Sequence, residues 1–267
     1  MDGMLSRRQL LAILPLGLLF GRTWAHAQEE ARSVFGYQLD LSVLYNLLTL
    51  SLSGTVVQEI DRRAGTYRVV MEGQGTGITT RTEATGIIQD GRFKPVETRA
   101  VHHFRGRQNT SNTTYDYGRQ QVEMHGVSHT LLLGRRRQVD DVLDIPPGRH
   151  LDDLISAELN FANHMLEHEP DGTYLAWVVR RARPSNEGPD DVKAGAYRAE
   201  IVPLRFRPSP DAITGRLTAM IDITRFSSWA RLDRPARVTF APDRQLESVE
   251  SFLLYGTTLA VRVTGAR

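Results

Sequence analysis

Tyr37-Gln38-Leu39-Asp40-Leu41-Ser42-Val43-Leu44-Tyr45 alternates apolar and polar side chains over most of its length. In an extended chain successive side chains point to opposite faces, so Tyr37, Leu39, Leu41, Val43 and Tyr45 share one face while Gln38, Asp40 and Ser42 share the other. That is the pattern of a half-buried β-strand. Leu48, Leu50 and Leu52 repeat it, and Arg62-Arg63-Ala64-Gly65 reads as a turn into Tyr67, Val69 and Met71. Asp90-Gly91 stands between strand-like runs at 78–88 and 93–104, the signature of a tight hairpin. Further runs fall at 113–117, 122–133, 174–181, 197–206, 217–223, 236–240, 247–255 and 258–263.

One segment breaks this rhythm. After Pro146-Pro147-Gly148, the residues Leu151, Leu154, Ile155, Leu159, Ala162, Met165 and Leu166 recur at helical spacing. The spacing predicts one amphipathic helix, with Asp152 and Asp153 in its first turn and His164 and His168 near its end, the charge order a helix dipole favours. The expected fold is mainly β: a single curved antiparallel sheet or open barrel of about 10–14 strands, with the helix over one face or plugging one end.

Residues 1–27 have the parts of an export signal: Arg7 and Arg8, an apolar run from Leu10 to Phe20, and Ala25-His26-Ala27 before Gln28. Ser6-Arg7-Arg8 followed by Leu10 and Leu11 resembles the twin-arginine signal, with an ordinary secretion signal as the alternative. The run is short of the ~20 residues that span a bilayer, so the expectation is a cleaved leader and one exported, soluble periplasmic β domain over 28–267. Removing the leader takes away Arg7, Arg8 and Arg22 but only Asp2, so the formal charge of +2 falls to zero. A chain with no net charge does not look like a nucleic-acid binder, whose affinity comes from neutralising phosphates over a basic face. With no Cys, disulfides and thiolate sites are excluded.

Among candidate sites the sharpest is His164-Met165-Leu166-Glu167-His168, which matches the H-x-x-E-H pattern of inverted zinc peptidases. On a helix the two imidazoles would share a face and Glu167 would activate a metal-bound water, giving a zinc-dependent hydrolase. Two histidines closing a helix before Pro170-Asp171-Gly172 account for the same residues without a metal, and no metal or cofactor is expected. His125 and His129 stand about 13 Å apart along one strand face, and the neighbours His102 and His103 face opposite ways. Glu187, Asp190 and Asp191 read as a solvated acidic loop within 183–195, and Arg135-Arg136-Arg137 with Asp140-Asp141 as a self-neutralising charge run at an exposed strand end.

Several short marks together resemble a family of exported bacterial β proteins of unknown function. They are Tyr37-x-Leu39-x-Leu41, Gly91-Arg92-Phe93-Lys94-Pro95, Tyr115-Asp116, Asp153-Leu154-Ile155-Ser156 and Arg234-Pro235-Ala236-Arg237-Val238 with a strand through Leu253. The resemblance implies an envelope protein on a curved β sheet, similar to periplasmic carriers of lipids and lipoproteins, and brings no catalytic residue with it. The function expected is therefore non-catalytic binding of an apolar or amphiphilic ligand such as a lipid or lipid-linked intermediate. Tyr37, Leu39, Leu41, Val43 and Tyr45 would line the site and Trp177 and Trp229 would stand at its rim. The alternative partner is another envelope protein, contacted through a sheet edge or helix face. The export machinery would read the leader.

Overall fold

The computed structural model describes residues 30–43, 45, 48–104, 106–130, 133–184, 187–188, 191–192, 197–227 and 229–266. The expected leader therefore lies outside the described residues, as do Asp190 and the side chain of Val43. In chain order the elements are β1 (Glu30–Val43), β2 (Leu48–Asp61), β3 (Thr66–Gly75), β4 (Ile78–Gln89), β5 (Arg92–Phe104), β6 (Arg107–Asp116), β7 (Gln121–His129) and β8 (Arg136–Asp144). Then come β9 (Leu151–Asp152), α1 (Leu154–Ala162), β10 (Glu167–His168), β11 (Tyr174–Arg181) and β12 (Ala199–Phe206). The chain ends with β13 (Ser209–Pro210), β14 (Leu217–Ile221), β15 (Ala236–Phe240), β16 (Leu246–Phe252) and β17 (Thr258–Ala266).

Thirteen strands make one antiparallel sheet in the order β13-β14-β15-β16-β17-β1-β2-β3-β4-β5-β6-β7-β8. Neighbours in sequence are neighbours in space throughout, apart from the pairing of β1 with β17. The turns are chemically suited to this: Asp90 and Gly91 both take positive φ between β4 and β5, and Gly65 does so between β2 and β3. β8 and β13 do not pair with each other among the described residues, so the sheet is not a closed barrel. Pro210 blunts the edge at β13. Among the described residues no helix is long and apolar enough to cross a membrane.

A second, four-stranded sheet, unforeseen in the sequence, holds β10, β11 and β12 with β9 parallel to β11. It and α1 occupy the concave side of the large sheet. Phe161 of α1, Val178 and Phe206 of the small sheet, and Val238 and Phe240 of β15 form one core; Tyr115 of β6 and Val122 of β7 join Leu151 and Trp177 in another. Strands from distant parts of the thirteen-strand order thus pack on one small sheet, which requires the large sheet to curve around it. A third core sets Leu159 and Ile155 of α1 against Tyr67, Val69 and Phe93.

Three local expectations are corrected. The helix covers only Leu154–Ala162: Leu151 and Asp152 form β9, and Glu167 and His168 form β10. Tyr45 is not in the first strand but in the turn beyond it, at positive φ and exposed. The charge run at 135–141 is not an exposed strand end but the body of β8, in which Arg137 and Asp141 are buried.

Candidate functional site

Strand register defines which side chains face the concave side. Tyr37 stands opposite Gly54, Gly54 opposite Gly73, and Gly73 opposite Thr80. A Cβ at Gly54 or Gly73 would collide with the Tyr37 side chain, so these glycines let the ring lie flat across two strands until its hydroxyl reaches Thr80, at 3.3 Å. Tyr37 is buried wall rather than a projecting ligand contact. Leu39 faces Leu52 and remains half-buried, and Leu41 packs on the cluster of Trp229, Ala230 and Leu253.

The apolar cavity on this side holds about 210 Å³. Thr82, Thr98, Ser111 and Thr113 line it from β4 to β6, Met124 from β7, Leu154 and Ile155 from α1, Val178 and Val179 from β11, and Phe226 from the connection after β14. None of the seven residues expected to line or rim the site is in this lining. Trp177 lies in the core at the helix-bearing end of the sheet, with the Arg149 guanidinium 3.5 Å above its ring, whereas Trp229 is buried near the opposite end. The lining was hard to foresee because threonines and serines on alternating strand positions read as solvent-facing.

Polar groups fix the helix against this wall. Asp153 caps α1 by accepting from Ser156 N–H at 2.6 Å, Ser156 Oγ accepts from Asp153 N–H at 2.9 Å, and Thr98 donates to the second Asp153 oxygen. Asn160 Oδ1 accepts from Phe93 N–H at 2.8 Å while its amide donates to Phe93 carbonyl at 2.9 Å and to Asp152 at 2.8 Å, so one side chain imitates a strand partner. Arg92 donates to Asp152 at 2.7 Å and to Met165 carbonyl at 2.7 Å. Burial pushes the Asp152 carboxyl up to about 7 in spite of that guanidinium. Burial, with the nearby Asp153 charge, also raises the hydroxyl pKa values of Tyr67 and Tyr115. The marks Gly91–Pro95 and Asp153–Ser156 that carried the family resemblance are thus largely the residues that dock the helix.

The zinc geometry does not form. His164 follows α1 at positive φ and accepts from the Arg244 guanidinium at 2.6 Å, while His168, on β10, packs edge-on against Tyr174. The shared helical face required of the pair is therefore absent, and the described residues contain no cluster of three metal-ligating side chains. His125 is held by Asp140 at 2.6 Å and His129 by Asn109 at 3.0 Å. Glu187 is not solvated: it is buried against Arg137 at 2.9 Å, Arg181 at 3.1 Å and the Tyr197 hydroxyl at 3.0 Å.

No family model matches the chain, and neither does any curated protein. Among solved structures the chain is similar to a β-barrel-like protein of the domain of unknown function DUF1849 from Brucella abortus, at 12% identity. The match covers 88% of this chain and 96% of that one, with a TM-score of 0.37.

Proposed function

We propose that this protein is a non-catalytic periplasmic carrier that takes an apolar or amphiphilic ligand, such as a lipid or lipid-linked intermediate, into the concave side of its large sheet. The observation behind this reading is the half-open cavity of about 210 Å³ lined by sheet, helix and small sheet. It exceeds the ~150 Å³ of an apolar cavity that takes up benzene, yet falls short of the ~300 Å³ usual for a drug-sized ligand. A stretch of alkyl chain fits, not a whole lipid. The remainder of such a ligand would run along Leu39 and Leu41, the half-buried inward-facing residues of β1.

The test is uptake of a fluorescent fatty acid by delipidated protein, compared with Met124→Trp, which fills the cavity from the β7 wall. Uptake by the native chain and at least tenfold weaker uptake by a folded Met124→Trp variant are expected. Absence of uptake by the native chain, or equal uptake by the two, would overturn the reading.

A further inference from the structure

Three connections meet at the end of the sheet opposite the helix-bearing end: Tyr45 in the turn after β1, the described residues of 222–235 between β14 and β15, and 253–257 between β16 and β17. Backbone bonds join them, since Tyr45 N–H donates to Gly256 carbonyl at 3.3 Å and Leu254 N–H donates to Trp229 carbonyl at 2.8 Å. The Trp229 ring, buried, meets the edge of Tyr255 at 6.2 Å between centroids. On this foundation stand Tyr45 at 79% exposure, Leu232 at 77% and Tyr255 at 57%. Large side chains clustered at that exposure are a poor choice for a surface that meets only water.

The backbone adds an independent sign. Tyr45 and Tyr255 have φ of 55° and 53°, a left-handed conformation that bulky side chains seldom adopt. Gly256, itself at positive φ, makes room for the Tyr45 ring, which a Cβ there would strike. Strain of this kind persists where the surroundings hold it, and here it presents two phenol rings outward from adjacent turns. The same segments carry Arg225, Arg231 and Arg234 against Asp222 and Asp233; Arg231 pairs with Asp233, which also feels the charge of the exposed Arg234, and Arg225 is exposed, so the segment carries an excess of positive charge. Exposed tyrosine with interleaved arginine, apolar at the root and polar at the tip, is a composition that settles at a bilayer's headgroup level. Phe226, which lines the cavity, belongs to the same segment as Trp229, so the rim and the cavity share one stretch of chain.

We propose that this rim docks on the surface of an anionic lipid bilayer, an inference that rests on the carrier reading for its purpose but not for its test. The full chain has no cysteine, so Leu232→Cys gives a single site for a polarity-sensitive fluorophore. Ile213→Cys, 94% exposed in the β13–β14 turn at the opposite end, is the control. Vesicles of phosphatidylcholine and phosphatidylglycerol should raise the emission at position 232 several-fold with a blue shift and leave position 213 unchanged. Adding Tyr45→Asn and Tyr255→Asn, which suit positive φ, should weaken the response at least tenfold without altering circular dichroism. No response at 232, equal responses at both positions, an equal response to pure phosphatidylcholine, or insensitivity to the double substitution would overturn the proposal. Fatty-acid uptake separates the two readings: a silent rim with intact uptake refutes docking alone, and a responsive rim without uptake refutes the cavity reading alone.

Discussion

Asp152 is wholly buried between Arg92 and Asn160, and its carboxyl titrates near 7 instead of 3.8 because burial disfavours the charged form more than the guanidinium restores it. A carboxyl whose pKa is higher in the folded chain than in the unfolded one binds its proton preferentially when folded. The contribution of Asp152 to stability therefore falls as pH rises from about 4 to about 7. Urea denaturation across that window should show the decline in the native chain and a flatter profile in Asp152→Asn. Arg92→Met should cost about 3–5 kcal/mol at pH 8, where the carboxylate loses its counter-ion in the interior, and much less at pH 5, where the folded carboxyl is already protonated. An equal cost at both pH values would mean that packing, not charge, dominates at Arg92.

The helix shows which features an element's sequence reveals. Leu154, Ile155, Leu159 and Ala162 carry its spacing, but Leu151, Met165 and Leu166 fit the same period and lie outside it. Two local signals marked the true limits. Asp153 with Ser156 three residues on is a capping box, which starts the helix after Asp153, and Asn163 closes it with its amide on Leu159 carbonyl at 2.8 Å. What the sequence does not reveal is Asn160, which reads as an unremarkable polar residue until Phe93 comes to it from 67 positions away. Asn160→Ala leaves the Phe93 peptide group and an Asp152 oxygen without their partner in a buried place, a loss on the order of 3 kcal/mol. Asp153→Ala should cost about 1 kcal/mol through the cap alone. Chemical denaturation of the two variants checks the order; Asp153→Ala costing more than Asn160→Ala would place the helix's anchorage at its cap.

At the scale of the whole molecule, the hairpin succession was legible because each turn carries its own chemistry, as Asp90-Gly91 does, and each strand its own alternation. The runs 174–181 and 197–206 were legible as strands for the same reason, but β8 and the separation of β9–β12 into a sheet of their own were not. The buried Arg137 and Asp141 of β8, and Glu187 of the connection after β11, look like surface residues until Glu187 meets Arg137, Arg181 and the Tyr197 hydroxyl and Asp141 accepts from the backbone N–H of Ala199. The pairing of β17 with β1 is equally hidden, since it joins residues such as Asp40 and Arg262, 222 positions apart. That pairing holds the large sheet together: β17 lies between β16 and β1, and without it the sheet divides into β13–β16 and β1–β8. Loop-closure entropy grows only slowly with length, so the long connection costs little more than a shorter one, while the paired strands bring the half-buried Leu39, Leu41 and Val261 together on one face. A chain truncated after Thr257 would bare two edges whose N–H and C=O groups have no partner and whose apolar faces meet water. It should lose its cooperative thermal transition, bind a hydrophobic dye and sediment as aggregates. A truncated chain that remained monomeric with a sharp transition would mean that β1–β8 folds without its closing strand.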